Sequence, residues 1–387
     1  MPESAPVVLA ALSLAVWVGL LGFRGGFWRA DQRLDEVPPV MSRWPDVVAV
    51  IPARNEAQTI GRTVASLLDQ DYPGGLRVVV VDDGSDDDTA AAAGRANRLT
   101  VMSGRSLDAG WSGKLWAVKQ GLDEVRRTAG DATFVLLTDA DIVHDPGSLR
   151  RLVAKAETER LDLVSLMVQL RCESFWERLL IPAFVFFFQK LYPFPWVNDP
   201  ARPEAAAAGG CMLVRRRVLE AAGGVETIRG RLIDDCALAA LIKARGSIWL
   251  GLTTLVRSER RYDSLADVWR MVARSAYEQI GNSPLMLTAT VAGMTLAYGV
   301  QVLAGAGLLG GGWPAAAIGL AAWWGLMGAA YAPTLGLYGL ARWRGILLPL
   351  AAVLYTLMTI SSAVDHWRGR GSAWKGRTYR ATSVPDG

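Results

Sequence analysis

Histidine and cysteine are scarce in this chain, with two of the first and three of the second among 387 residues. Cys172, Cys211 and Cys236 have neither the spacing of zinc ligands nor an obvious pairing pattern. A zinc site and a disulfide framework therefore drop out, and free thiols in a reducing compartment remain. His144 reads as a loop residue and not as a ligand. A strong charge bias is missing too: 41 Lys and Arg against 37 Asp and Glu leave +4, too mild to suggest a nucleic-acid partner. No internal repeat or low-complexity segment stands out, apart from alanine-rich patches at 90–93 and 205–208. The amino-terminal residues carry Glu3 but no Lys or Arg, and no Ala-x-Ala site follows, which argues against a cleavable leader.

Long uncharged apolar runs are what the chain does have. They cover residues 5–23, 284–308, 313–340 and 345–364, and each reaches the ~20 residues that cross a bilayer as a helix. Arg24, Arg29 and Arg33 follow the first run. The positive-inside rule then puts the amino terminus outside and the next residues in the cytoplasm. Three further crossings would leave the tail outside, yet it carries Arg368, Arg370, Lys375, Arg377 and Arg380. The expectation is a cytoplasmic tail, with one apolar segment re-entrant or lying in the interface. Arginine-rich flanks suit anionic lipid headgroups. The domain plan that follows is an anchor and linker at 1–44, a cytoplasmic domain at 45–283, membrane helices at 284–364 and a basic tail at 365–387.

Inside 45–283 the pattern changes to short aliphatic runs at 47–51, 77–81, 134–137 and 163–168, the signature of strands buried on both faces of a mostly parallel sheet. Helical stretches at 57–69, 87–97, 114–127 and 146–157 alternate with them, which predicts a three-layer α/β domain. A further apolar stretch, 175–192, is interrupted by Glu177, Arg178 and Pro182 and is too short to span comfortably. Its charges and aromatics suit a helix in the plane of the interface, with an interior helix of the domain as the alternative.

Acidic residues end these strands or open the loops after them. Thr138-Asp139-Ala140-Asp141 follows an apolar run, so two carboxylates fall at the carboxyl edge of a sheet, where ligands bind in open α/β folds. Hard oxygen ligands so placed suit Mg²⁺ or Mn²⁺ on a diphosphate. Pro52-Ala53-Arg54-Asn55-Glu56 ends the first strand, Asp82-Asp83-Gly84-Ser85 the second, and Asp234-Asp235 forms a fourth acidic site. A nucleotide-sugar enzyme uses such a set: carboxylates for uracil or ribose, a metal pair for the departing diphosphate, and a base for the attacking hydroxyl. Asp86–Asp88 read as a helix cap. Lys114 at a helix start can meet a phosphate. Arg270 and Arg274, one turn apart, either grip the diphosphate or face lipid headgroups.

The ordered set PARNEA, VVDDGSDDDT, GK..A...G, TDAD, GGCMLVRR and DD..L, running from Val47 to about Ser275, resembles the family-2 glycosyltransferases with the GT-A fold. Several stretches, among them GWSGKLWAVKQG, LIPAFVFFFQKLYPF, LIDDCALA and WKGRTY, are similar to the hopene-associated glycosyltransferases of bacterial hopanoid genes. The resemblance implies an inverting transfer of one sugar from a nucleotide-diphosphate donor. Mapped by motif, the donor side is Pro52, Arg54, Glu56, Asp82, Asp83, Lys114, Asp139, Arg270 and Arg274, with Glu56 and Asp83 on the nucleoside. Asp139 and Asp141 serve the metal, Asp235 is the base with Asp234 as alternative, and Gly209 and Gly210 line the acceptor side.

Two departures narrow the expectation. The Asn often present in the Lys114 helix motif is Lys119, and Gln-x-x-Arg-Trp is reduced to Met271-Val272-Ala273-Arg274-Ser275. Loss of the Trp removes a stacking surface for a growing glycan, so a single transfer to a lipid fits better than polymer synthesis. The expected acceptor is a hopanoid, with a polyprenyl phosphate or glycerolipid as second choice and a catalytically silent nucleotide-binding scaffold as third. The expected location is the bacterial inner membrane, multi-pass, with the catalytic domain in the cytoplasm.

Overall fold

The computed structural model describes residues 4–34 and 41–370, together with two short strands, Ala373–Trp374 and Arg377–Thr378. Lys375 and Arg380 of the basic tail, and part of the WKGRTY stretch, lie outside the described residues. Eight strands form one sheet: β1 Val47–Ala53, β2 Leu76–Asp82, β3 Leu99–Ser103, β4 Phe134–Thr138, β5 Ile142–His144, β6 Leu163–Gln169, β7 Cys211–Arg215 and β8 Ile248–Ser258. Their order is β3-β2-β1-β4-β7-β6-β8-β5. β7 runs antiparallel to both its neighbours and β5 antiparallel to β8, while the other pairings are parallel. The sheet is therefore mixed; three of the four predicted strands, β1, β2 and β4, lie in its parallel half, and the fourth, β6, lies beyond antiparallel β7.

Alternation along the strands explains the layers. Val47, Ala49 and Ile51 of β1 pack with the helices Ile60–Leu68 and Ser148–Thr158. Val48 and Val50 point the other way, against Leu115, Val118 and Leu122 of the helix Gly113–Thr128. That helix sits close because residue 121 is glycine; a Cβ there would lie 2.4 Å from Val50 Cγ1. The predicted helix 87–97 is cut down to Thr89–Ala92, because Gly94 takes a positive φ of 83° and ends it. Of the predicted cap, Asp86–Asp88, it is Asp87 whose side chain accepts the Thr89 N–H at 3.1 Å and the Ala57 N–H at 3.2 Å.

Four helices are long and apolar enough to cross a membrane: Ser4–Phe23, Pro284–Gly305, Gly312–Leu337 and Arg342–Trp367. The first three run side by side, with Trp17 donating to Ala297 O at 2.7 Å and Gly305 packed on Gly319. The fourth behaves differently. It follows Leu337, whose carbonyl accepts from Gln169 of β6 at 3.1 Å, and climbs back only as far as Gly328 and Trp323, which donates to Ile346 O at 2.9 Å. It then runs towards the sheet domain again, and its end stacks on Tyr277, 5.3 Å from His366 and 5.8 Å from Trp367. Both ends of the fourth helix thus lie towards the domain.

The stretch read as an interfacial helix is the helix Phe175–Leu191, opened by a Ser174/Glu177 capping box. Most of its apolar residues are covered by protein, while Phe175 and Leu191 at its two ends stay exposed. Val185, Phe184 and Phe188 join the domain core, while Leu180, Ala183 and Phe186 pack with Trp17, Tyr331 and Tyr355 of the apolar helices. It is the bracket between sheet and helical bundle, held further by Arg24, which donates to Lys190 O at 3.1 Å and Leu191 O at 3.0 Å.

Candidate active site

Parallel β1, β2 and β4 point the same way, so their carboxyl ends deliver Arg54, Asn55 and Glu56, Asp82 and Asp83, and Asp139 and Asp141 to one edge. The helix Asp234–Lys243 brings Asp234 and Asp235 to the same place. At this edge lies a cleft of about 760 Å³, lined among others by Glu56, Lys114, Asp139, Asp235 and Arg260, but not by Asn55, Asp82 or Asp83.

At the β1–β2 end the loops hold each other. Asn55 adopts φ 52°, a left-handed conformation that Asn tolerates, and its N–H donates to Ser85 Oγ at 3.0 Å while its Oδ1 accepts from Asp86 N at 2.8 Å. Asp82 accepts from Ser85 N at 3.1 Å. Arg54 donates to Asp83 O and, at 2.8 Å, to Gly84 O. Asp83 lies beneath this edge, 1% exposed, with its N–H on Ala53 O at 2.8 Å. Arg54 and Glu56 line the cleft from this side.

The metal-type pair is asymmetric. Asp139 opens to the cleft and meets Lys114, while Asp141 turns inward, its carboxylate 8% exposed. Asp141 Oδ2 accepts from Ser258 Oγ at 3.1 Å and from Arg260 Nε at 2.8 Å. Arg260 also reaches Glu56 Oε1 at 2.6 Å. Burial opposes the Arg260 charge, but Asp141 and Glu56 outweigh it and hold the guanidinium above its ordinary value. Two positions on, the Tyr262 N–H donates at 2.8 Å to buried Glu177, which pairs with Arg171 at 3.0 Å. Sequence reading missed Arg260 and Ser258, because only the antiparallel pairing of Ile142 with Ser258 brings them to the Asp141 turn.

On the opposite wall Lys114 Nζ lies 3.0 Å from Asp139 Oδ1 and 3.4 Å from Asp234 Oδ2. Burial works against its charge, but Asp139, Asp234 and Asp235 hold it protonated. Asp235 accepts from Cys236 N at 2.7 Å and Gly209 N at 3.0 Å. Burial and the charge of Asp234 push Asp235 up to about 6, with Lys114 pulling the other way. Asp139 is likewise raised, by burial and by Asp141, against the pull of Lys114. A Cβ at Gly209 would stand 3.2 Å from Lys114 Nζ, so a larger residue there would crowd the lysine.

His144 is not the loop residue that sequence suggested: it is buried on β5, 3.1 Å from Thr138 Oγ1, whose hydroxyl donates to Gly210 O at 2.8 Å. Burial pushes its pKa down to about 4. Lys119 faces away from the cleft, on Asp123 at 2.6 Å and Glu226 at 3.3 Å. Arg270 and Arg274 stand together on the cleft wall, Arg270 tied to Asp267 at 2.5 Å. Beside them the wall turns apolar, through Phe184, Phe188, Leu170, Leu232 and Met271.

No group of three or more His, Cys, Asp or Glu side chains converges on an ion position among the described residues. The donor set still fits Mg²⁺ or Mn²⁺, since such ions need only one or two carboxylates and complete their shell with water and substrate phosphates. Asp139 fits directly, and Asp141 fits with its Oδ2 shared with Arg260.

Residues 48–223 match the model for Glycosyl transferase family 2. This segment is a glycosyltransferase domain. Among solved structures, a mannosyltransferase from Pyrobaculum calidifontis in complex with GDP-Man and Mn²⁺ matches with TM-score 0.53 and 21% identity, over 91% of this chain and 99% of its own. At that identity the likeness is one of fold, and it extends past the glycosyltransferase domain into the apolar helices. S. aureus TarS matches with TM-score 0.37 and 16% identity, over 60% of this chain and 40% of its own. Mannosyl-3-phosphoglycerate synthase from Rubrobacter xylanophilus gives TM-score 0.38 and 21% identity, over 62% and 74%. No curated protein sequence matches.

Proposed function

We propose that the protein is a membrane-bound inverting glycosyltransferase that moves one sugar from a nucleotide-diphosphate donor to a lipid acceptor. The observation that carries this reading is the two-sided cleft. Its charged edge is the Lys114–Asp139–Asp235 cluster, and its apolar wall is formed by Phe184 and Phe188 of a helix packed against the candidate membrane spans.

In this reading Glu56 and Asp83 serve the nucleoside, with Pro52, Arg54 and Asp82 shaping that end. Lys114 meets the diphosphate, joined by Arg270 and Arg274. Asp139 and Asp141 would hold Mg²⁺ or Mn²⁺, which supplies positive charge to the diphosphate when bound. The acceptor lies along Gly209 and Gly210. Its hydroxyl oxygen forms the new bond to the anomeric carbon as the bond to the diphosphate oxygen breaks, and the nucleoside diphosphate leaves with that electron pair. Asp235 takes the hydroxyl proton. A hopanoid is the first acceptor by resemblance. A polyprenyl phosphate or glycerolipid is the second; for a phosphate acceptor no hydroxyl proton need be removed, and Asp235 matters less.

The catalytic domain and the tail share the cytoplasmic side of a bacterial inner membrane. The turn of the fourth apolar helix back to Tyr277 supports this, and so does the resulting placement of Arg24, Arg342, Arg344 and Arg368 on one side. The test is transfer by detergent-purified protein offered a panel of nucleotide sugars, Mn²⁺ or Mg²⁺, and total lipid from a hopanoid-making bacterium, with products followed by mass spectrometry. A hopanoid that gains one sugar, absent with Asp235→Asn, is the expected result. A glycosylated polyprenyl or glycerol lipid moves the acceptor to the second choice. No product from any donor, despite nucleotide binding, overturns the enzymatic reading.

A further inference from the structure

Arg260 sits where no motif predicted a cation. Its guanidinium bridges the two acidic sites of the donor edge, Asp141 at 2.8 Å and Glu56 at 2.6 Å. It is a held group and not a loose surface side chain: its own N–H donates to Ser258 Oγ at 3.3 Å, and the neighbouring Glu259 N–H donates to Asp141 O at 2.8 Å. Tyr262, two positions on, is pinned by Glu177. Asp141 Oδ2 takes both Ser258 Oγ and Arg260 Nε, so a second cation at this carboxylate faces an occupied oxygen and a like charge beside it. Asp139, two residues away, has the other built-in cation, Lys114. Each member of the Asp-x-Asp pair thus carries its own counter-charge.

We propose that Arg260 is a positioning residue that competes with the divalent ion for Asp141, so that the protein takes up the ion tightly only when a nucleoside diphosphate adds the compensating negative charge. The inference rests on the metal assignment made above. Ion and donor then bind as a pair, and ion alone is held weakly. The device sets the order of loading without touching the acceptor side.

The test is Mn²⁺ binding, read from the free-ion signal in electron paramagnetic resonance. It uses the full-length detergent-purified protein, with no nucleotide and with UDP, GDP, ADP and CDP in turn. Wild type is expected to bind Mn²⁺ weakly alone and tenfold or more tighter with the nucleotide that fits. R260Q, which keeps polar atoms but loses the charge, should bind Mn²⁺ alone at least tenfold tighter than wild type, with little further gain from nucleotide. R260K should fall between, since an ammonium keeps the charge but lacks the guanidinium's rigid fork of donors, and it keeps the test open if R260Q does not fold. The gain should vanish in R260Q combined with D141N. Equal Mn²⁺ affinities of wild type and the Arg260 variants, or a gain that survives D141N, overturn the proposal alone. Absence of Mn²⁺ binding in every protein and with every nucleotide overturns the metal assignment, and the proposal with it.

Discussion

The ammonium of Lys114 stands 3.0 Å from the carboxylate of Asp139, at the point where the Gly113–Thr128 helix begins and β4 ends. It pairs with Asp234 as well, at 3.4 Å, and its charge also bears on Asp235. Lys114→Met therefore leaves a cluster of carboxylates without compensation. Transfer should fall by about 10²–10³, the usual worth of one electrostatic donor aimed at the reacting group. Single-turnover kinetics and a melting curve check the two halves: loss of the chemical step together with a lowered Tm.

Asp235 and Asp234 can be separated. Asp235 is aimed by two backbone N–H groups, whereas Asp234 is tied to Lys114. Asp235→Asn should keep nucleotide binding and lose transfer by about 10²–10⁴. Asp234→Asn should lose less and raise the donor KM. Isothermal titration with nucleotide beside a transfer assay tells them apart; the reverse ranking moves the base by one position.

The pH profile follows from the same burial. A base acts only when deprotonated, and Asp235 is pushed from 3.8 up to about 6. Activity is then retained above that value and lost as pH falls through it. The acid limb of kcat/KM should lie near 6. Residual activity of Asp235→Asn should show no such limb. A limb near 4 would speak against Asp235 as the base.

Topology is open to labelling. Arg370→Cys should react with an impermeant maleimide from the same side of inverted vesicles as a cysteine at exposed Asp88, and Leu308→Cys from the other side. Cys172, Cys211 and Cys236 are replaced by Ser beforehand. Labelling of residue 370 together with 308 refutes the shared side of domain and tail.

Much of the fold was legible because buried parallel strands are unbroken aliphatic runs: 47–51, 77–81, 134–137 and 163–168 all fall inside β1, β2, β4 and β6. β5 was missed because three residues carry no periodicity, and β3, β7 and β8 were not read as strands either. The helix over 175–191 was found, but its covering was not. An apolar face reads the same whether lipid or protein lies against it.

The acidic residues of this sheet edge were legible in the chain. Asp-x-Asp after a buried run, a Lys at a helix start and paired acids at another are short-range features, placed by strand direction alone. Which group neutralises which carboxylate was decided only on folding. Arg260 reaches Asp141 across 119 positions and Glu56 across 204, and Tyr277 meets the end of the last apolar helix. Such pairings depend on strand register and helix packing, where small shifts in direction decide which charge lies within 3 Å, and no local pattern encodes that.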